Sequence, residues 1–313
     1  MSDHAGAIAV IGEALIDIVE TGDDEPRLAR PGGSPYNVAL GLARLERPTR
    51  FVGRLSGDPL GTILRNHALR SAVDLSLCVD AHDPTTVALV ELDDAGVARY
   101  RFGVEGTADF RWTPAELARL PDDVAAVHFG SLASWLAPGD AVIAERIAGL
   151  RAAGVTVSYD PNVRPHLQPD GGAARGQVEQ AVALADLVKT SEEDIAHLYP
   201  REAAEDVARS WLALGPVAVI VTRGGEGSLA VTSGETLARP PQPVQLVDTV
   251  GAGDAFMSGL LDALDRRGLL APDALHRAPW DEVLDEAALV AAITCSRAGA
   301  NPPRRTELGR VPG

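Results

Sequence analysis

The sequence predicts an α/β protein: a doubly wound, mostly parallel sheet flanked by helices, with a small β-sheet lid inserted in it. Three observations carry this. From Val124 onward, short apolar runs of strand length alternate with helix-length segments, the rhythm of a parallel sheet built with right-handed crossovers. The strands of this run end in polar residues: Asp160-Pro161-Asn162-Val163-Arg164, Lys189-Thr190-Ser191 and Thr222-Arg223-Gly224-Gly225. That is where ligands gather in such sheets. Residues 85–92 and 97–103, on either side of Asp93-Asp94-Ala95-Gly96, read as a β-hairpin that interrupts the alternation. The lid is expected from about 13–31 and 85–111, inserted in a single domain spanning 1–313.

At 313 residues and 46% hydrophobic, the chain can bury a full core. Its net charge of −16 argues against nucleic acid or a membrane surface as a partner of the whole protein. An anionic ligand must be met by a local positive site. The chain has one lysine, Lys189, preceded by Val188. A P-loop needs glycine there, so any nucleotide site is not of that type. Cys78 and Cys295 stand apart, which suits a reducing compartment and supports neither a disulfide framework nor a zinc site. The first residues, MSDHAGAIAVIGEALIDIVE, carry no basic n-region, and no apolar run approaches the roughly 18 residues of a membrane span. A soluble, cytoplasmic protein is expected.

Taken in order, AIAVIG (7–12) reads as a buried first strand. Residues 14–20 continue extended and place Asp17 between Ile16 and Ile18. An acid there is costly without a partner, unless it faces water at a strand edge. Gly32-Gly33 forms a turn, Ser34 is suited to cap a helix over 35–45, and Pro35 suits its first position. Asn37 lies in the first turn of that helix, beside the glycines. This fits an ordinary capped helix and also the binding of a polyol. Strands follow at 124–130, 155–160, 186–190 and 217–224. Helices are expected at 140–152, 173–184, 192–198 and 202–214, and a last one over 287–301 ending near Gly299. Arg164 at a strand end offers a guanidinium that matches phosphate oxygens bidentately, or else points to solvent. Gly225-x-Gly227-x-x-Ala230 has the letters of a dinucleotide fingerprint, but an extended segment follows it rather than a helix, so that reading fails.

The stretch DTVGAGDAFMSG (248–259) organises the rest. VQLV (244–247) before it has strand propensity. After it Phe256, Met257, Leu260, Leu261 and Leu264 recur at helical spacing. Gly251, Ala252 and Gly253 therefore sit where a turn feeds a helix, and their bare N–H groups with the helix N-terminus make an anion site. Asp254 falls in the first helical turn. It is a favourable first-turn acid on the plain reading. Next to a bound anion, it suits removal of a proton from a hydroxyl that attacks that anion, the logic of phosphoryl transfer.

DTVGAGDAFMSG also resembles the C-terminal signature of the ribokinase-like (PfkB) carbohydrate kinases. GGSPYNVALGLARL resembles that family's N-terminal GG-x-x-x-N-x-A motif, and FVGRLSGDPLG its following strand and turn. The resemblance runs over roughly residues 7–302. GEALIDIV, GGSPYNVA, HFGSLASWL and DPNVRP look most like bacterial fructokinases. It implies an ATP-dependent sugar kinase with Mg²⁺, a ribokinase-like fold, and a lid that covers the sugar and joins a homodimer. In that frame Asp17, Gly32, Gly33 and Asn37 orient the sugar, and Phe102 packs on it or on the lid core. Asp254 is the base, and Gly251, Ala252, Gly253 and Arg164 meet the phosphate. Thr222, Gly224 and Gly227 match the nucleotide loop T-x-G-x-x-G. The segment from Lys189 to Asp194 falls where the family carries Asn-x-x-Glu, with Ser191 for the asparagine. Asp194 stands for the glutamate that places Mg²⁺ through water, one methylene shorter. Asn301 falls near the adenine. Asp248, Val250 and the 297–299 backbone fall where a monovalent cation such as K⁺ is held.

Fructose is the first expectation for the acceptor. 2-Keto-3-deoxygluconate comes second and would need an arginine facing the sugar, with Arg30, Arg99 and Arg101 as candidates. A nucleoside comes third, because a lid with 4% aromatics in the whole chain suits it poorly. A silent sugar-binding protein on the same fold is opposed by the intact Asp254 and its glycine turn.

Overall fold

The computed structural model describes residues 6–19, 28–92, 98–168 and 171–309. Its strands are β1 (Ile8–Ile11), β2 (Leu15–Val19), β3 (Leu28–Gly32), β4 (Thr49–Val52), β5 (Arg54–Ser56), β6 (Val79–Ala81), β7 (Val87–Leu92), β8 (Ala98–Gly103), β9 (Ala126–Gly130), β10 (Thr156–Asp160), β11 (Leu187–Ser191), β12 (Ala218–Thr222), β13 (Ser228–Thr232) and β14 (Thr236–Arg239). The main sheet has the order β14-β13-β12-β11-β10-β9-β1-β4. It is parallel from β4 to β12, and β13 and β14 are added antiparallel.

Both faces of this sheet are covered, so its strands are nearly continuous apolar runs. On one face Val10, Leu187 and Ile220 pack under the helices Ser34–Arg44, Ala252–Arg266 and Trp280–Cys295. On the other, Ile11, Val127, Val157 and Val219 pack under Gly139–Ala152, Gly171–Val182 and Ala204–Leu212. The chain leaves β1 toward β4 on one side and later returns to β9 on the other. The strand order therefore reverses at β1, and a crevice opens beyond the C-terminal strand ends there.

A second sheet, β3-β2-β7-β8, rises beside that crevice. Its register aligns Arg30, Asp17, Ala88 and Phe102 in one row across the four strands. Opposed residues share a face, so Asp17 sits mid-sheet rather than at a free edge. The hairpin turn 93–96 and residues 20–27 of the expected lid lie outside the described residues. Among the described residues no helix is long and apolar enough to cross a membrane.

Three local expectations need correction. Residues 244–247 form no strand: Leu246 and Val247 are 64% and 60% exposed, and the Val247 N–H goes to the Cys295 carbonyl (2.8 Å) instead of a neighbouring strand. The last long helix starts earlier, at Trp280, and ends at Cys295. Ser34 does not cap its helix; Gly33 holds the N-cap position at φ 104° without a side-chain bond. The Ser34 hydroxyl is used elsewhere.

Candidate active site

Two helices begin side by side at the crevice. Ser34–Arg44 and Ala252–Arg266 approach so closely that a Cβ on Gly41 would lie 2.3 Å from Ser258 Oγ. Their first turns therefore face each other. Gly251 starts the second helix in the left-handed region, at φ 75°, pressed against Ala300. The Ala252 N–H is spent on the Thr249 carbonyl (3.1 Å). Among the described residues no backbone acceptor takes the N–H groups of Gly253 and Asp254, which leaves them for an anion.

Asp254 is 7% exposed. Ser34 Oγ donates to its Oδ1 (2.7 Å) and Asn37 Nδ2 to its Oδ2 (2.8 Å). Burial raises its pKa; the Asn37 and Ser34 bonds and the Lys189 charge oppose this in part, and Asp160 adds to it. The result is an oriented carboxylate with heightened proton affinity, the property a general base needs. The Asn37 amide has one donor fixed on Asp254, while its Oδ1 is buried without a partner. A buried acceptor left open beside a base marks the place of a ligand donor such as a hydroxyl.

Asp17 faces the same space. A Cβ on Gly32 would lie 2.2 Å from Asp17 Oδ2, so only glycine lets the carboxylate lie over this backbone. Gly33 follows it, packed against the Glu13 carbonyl. Desolvation first, and the nearby Asp254 charge, push Asp17 up to about 6 against the pull of Arg164 and Arg30. Arg164 is curled over its own turn, donating to the Asn162 carbonyl and side chain and to the Val163 carbonyl (3.2 Å). Its charge also acts on Glu13 and Asp194.

Lys189 is 4% exposed and donates from Nζ to Asp160 Oδ2 (2.9 Å). A Cβ on Gly253 would lie 2.8 Å from this Nζ, so the sole lysine sits directly beside the glycine turn. Burial works to lower its pKa, but the carboxylates of Asp160, Asp194 and Asp254 more than reverse that. Asp194 accepts from the Val163 N–H (2.9 Å) and the Ser191 N–H (3.3 Å), while Ser191 Oγ accepts from the Asp194 N–H (3.0 Å). It thus staples the 160–164 turn to the helix Glu192–Leu198.

Ser191 and Thr222 are register partners on β11 and β12, and Thr222 Oγ1 donates to the Thr190 carbonyl (3.3 Å). Beyond them the loop with Gly224 leads to Gly227, which turns against the Arg239 carbonyl. Asp248 accepts from the Val250 N–H (3.0 Å) and the Gly299 N–H (2.7 Å), joining the anion turn to the 297–299 loop. Asn301 Oδ1 accepts from Arg44 (2.6 Å). Phe102 belongs with Leu15, Ala88, Phe110, Leu132 and Trp135 in an apolar cluster, the lid-core alternative of its two readings. Arg30 reaches toward Gly299 and acts on Asp17; the Arg99 side chain lies outside the described residues.

Sequence reasoning missed Ser34 as a partner of Asp254 and Asp160 as the partner of Lys189. A serine before a helix reads as a cap, and nothing local reveals an acceptor 220 positions away. Asp160 had a signal: it is an acid closing an apolar strand in a chain with one lysine.

A model of the pfkB family of carbohydrate kinases matches residues 6–307. A fructokinase of Klebsiella pneumoniae is 34% identical over 310 residues, covering 97% of this chain and 99% of that protein. A double mutant of a Vibrio cholerae O395 fructokinase, solved with fructose, ADP and a potassium ion, superposes with a TM-score of 0.87 at 28% identity, over 99% of each chain. A Xylella fastidiosa fructokinase with bound ATP gives 0.88 at 28% identity, over 96% of each chain.

Proposed function

The chain belongs to the pfkB family of carbohydrate kinases, and on that premise we propose that it is a fructokinase, transferring the γ-phosphate of ATP to a hydroxyl of fructose. The observation that carries this reading is the Asp254 carboxylate, clamped by Ser34 and Asn37 in the first turn of a glycine-led helix, with the Asn37 carbonyl left open beside it. The similarity to fructokinases over nearly the full chain names the acceptor.

In this reading Asp17 and the Asn37 carbonyl take hydroxyls of the sugar, above the bare backbone of Gly32 and Gly33. The β3-β2-β7-β8 sheet serves as a lid, and its outer side is offered for a homodimer. Asp254 removes the proton from the attacking hydroxyl, and that oxygen attacks the γ-phosphorus in line with the leaving ADP oxygen. The N–H groups of Gly253 and Asp254, the Lys189 ammonium and Arg164 stabilise the charge on the transferred group. The loop from Thr222 through Gly224 to Gly227 carries the rest of the nucleotide, with Asn301 toward the base.

Mg²⁺ fits the residues present. Among the described residues no group of three or more metal-binding side chains forms a cage. Mg²⁺ keeps several waters and is held by one or two carboxylates together with phosphates. Asp194 and Asp160, which lie around Lys189 beside the anion turn, would hold the ion through its waters, and the ion would neutralise phosphate charge there. Asp248, Val250 and the 297–299 loop would hold a K⁺ ion.

The test is coupled ADP release with Mg·ATP over fructose, 2-keto-3-deoxygluconate, ribose, glucose and adenosine, with and without K⁺. Fructose is expected to have the highest kcat/KM. Preference for another acceptor, or ATP binding without turnover of any, would overturn it.

A further inference from the structure

The β3-β2-β7-β8 sheet is joined to the main domain by four chain crossings: 12–14 into β2, 33 out of β3, 82–86 into β7 and 104–108 out of β8. Three of them meet at one side chain. Asp109 is 1% exposed and lies on the turn Ala108–Phe110 that ends the fourth crossing. Its Oδ1 accepts the Ala14 N–H (2.9 Å) from the first crossing, and its Oδ2 accepts the Thr86 hydroxyl from the third. Thr86 also lies 2.8 Å from the Thr107 hydroxyl, which donates to the Val104 carbonyl (2.9 Å). The turn is fixed to the main domain by Arg54, whose Nε donates to the Ala108 carbonyl (2.9 Å). The remaining crossing rests on the same knot, because Gly33 packs against the Glu13 carbonyl while the Glu13 carboxylate accepts the Ala133 N–H (3.1 Å) beyond β9.

We propose that Asp109 is a positioning residue that fixes the pose of the lid sheet over the acceptor site, and with it the placement of Asp17 three residues beyond Ala14. It touches no substrate in the arrangement above. A buried carboxylate is an expensive way to fill space, and burial here pushes the Asp109 carboxyl up to about 7. What it offers is two acceptor oxygens on one rigid group. An asparagine keeps one acceptor and offers its N–H₂ to the Thr86 hydroxyl, which accepts as well as donates, so the replacement that opens the clasp is alanine. The effect on catalysis rests on the kinase reading; the hinge itself does not.

The experiment uses Asp109→Ala, which opens both sides of the clasp, and Thr86→Val, which opens one, with Thr86→Ser as the conservative control. Amide hydrogen exchange is followed in β2 and β7 and, as an internal reference, in β9 to β12. Lid amides are expected to exchange at least tenfold faster in both variants, with the reference strands unchanged and Thr86→Ser near wild type. In the kinase assay the sugar KM should rise about tenfold or more, the ATP KM should stay within twofold, and kcat within threefold. Wild-type lid exchange in folded variants, equal acceleration of the reference strands, or an unmoved sugar KM in an active enzyme overturns the proposal. If the wild type turns over no sugar, the kinase reading fails by itself, and the exchange measurement, which needs no substrate, still decides the hinge. Should Asp109→Ala fail to fold, Thr86→Val carries the test.

Discussion

Gly253→Ala probes the contact between the anion turn and the only lysine. The added methyl would lie 2.8 Å from Lys189 Nζ, where an unstrained contact needs about 3.5–4.0 Å. The ammonium must retreat by on the order of 1 Å. An exposed lysine end would swing away freely. This one is 4% exposed and bound to Asp160 at 2.9 Å, and Asp160 is itself fully enclosed. Retreat opens the pair. Disrupting a buried pair costs about 3–5 kcal/mol, and alanine in place of helical glycine returns about 1 kcal/mol. Gly253→Ala should therefore lose about 2–4 kcal/mol. Lys189→Met removes the cation outright and leaves Asp160 uncompensated, a loss of about 3–5 kcal/mol. In the double variant there is no pair left for the methyl to break, so only the propensity gain remains. Its loss should again be about 2–4 kcal/mol, far from the additive sum of about 5–9. Urea unfolding of the four proteins measures the cycle. Additivity within about 0.5 kcal/mol, or a Gly253→Ala protein as stable as wild type, would refute the reasoning.

Asp254→Ala should lower kcat by about 10²–10⁴ in coupled ADP release, the span of a lost general base, in a protein that still folds. Asp17 is ionised above about 6 and protonated below it. As an acceptor of sugar hydroxyls it is lost on the acid side, so the sugar KM should climb as pH falls through 6. The stability sign is the reverse. A carboxyl raised in the folded state is held ionised at a cost above pH 6, and that cost is relieved as pH falls toward its unfolded value. Asp17→Asn should give a high sugar KM that no longer changes between pH 5 and 7. K⁺ should stimulate turnover, and Asp248→Ala should abolish the stimulation in a titration of rate against KCl. A wild-type response to K⁺ in that variant would remove Asp248 from the cation site.

The alternation of strands and helices was legible because a sheet buried on both faces writes itself as apolar runs of strand length. The placement of Asp254 in the first turn of a glycine-led helix was legible because the pieces are local: glycines, a helix start and an acid lie within four residues. The long-range partners were not. Ser34 and Asn37 reach Asp254 only because two helices distant in sequence start side by side, a consequence of the strand order. The run 244–247 misled for a related reason. Its apolar residues have strand propensity, but β14 already closes that edge of the sheet, and the chain is held by the carbonyl that ends a helix. Asp194 was read as the acid that places a metal, and its geometry adds a structural duty: Oδ1 holds the 160–164 turn through the Val163 N–H, and Oδ2 caps its own helix at the Ser191 N–H.

The electrostatics of the crevice resolve the apparent misfit between an acidic protein and an anionic substrate. Asp254, Asp160, Asp194, Asp17 and Glu13 surround a space that holds few cations, chiefly Lys189, Arg164 and Arg30. Burial raises the pKa values of Asp254, Asp194, Asp17 and Glu13, and neighbouring carboxylates add to the rise at the first three. Such a site repels a free triphosphate and rewards one that arrives with its own cations. Burial first, and then the Asp160 charge, keep the proton affinity of Asp254 high. Replacing Asp160 with a neutral residue to make room for phosphate would act on both: metal-free nucleotide would be admitted, and Asp254 would lose a neighbouring charge that adds to its proton affinity.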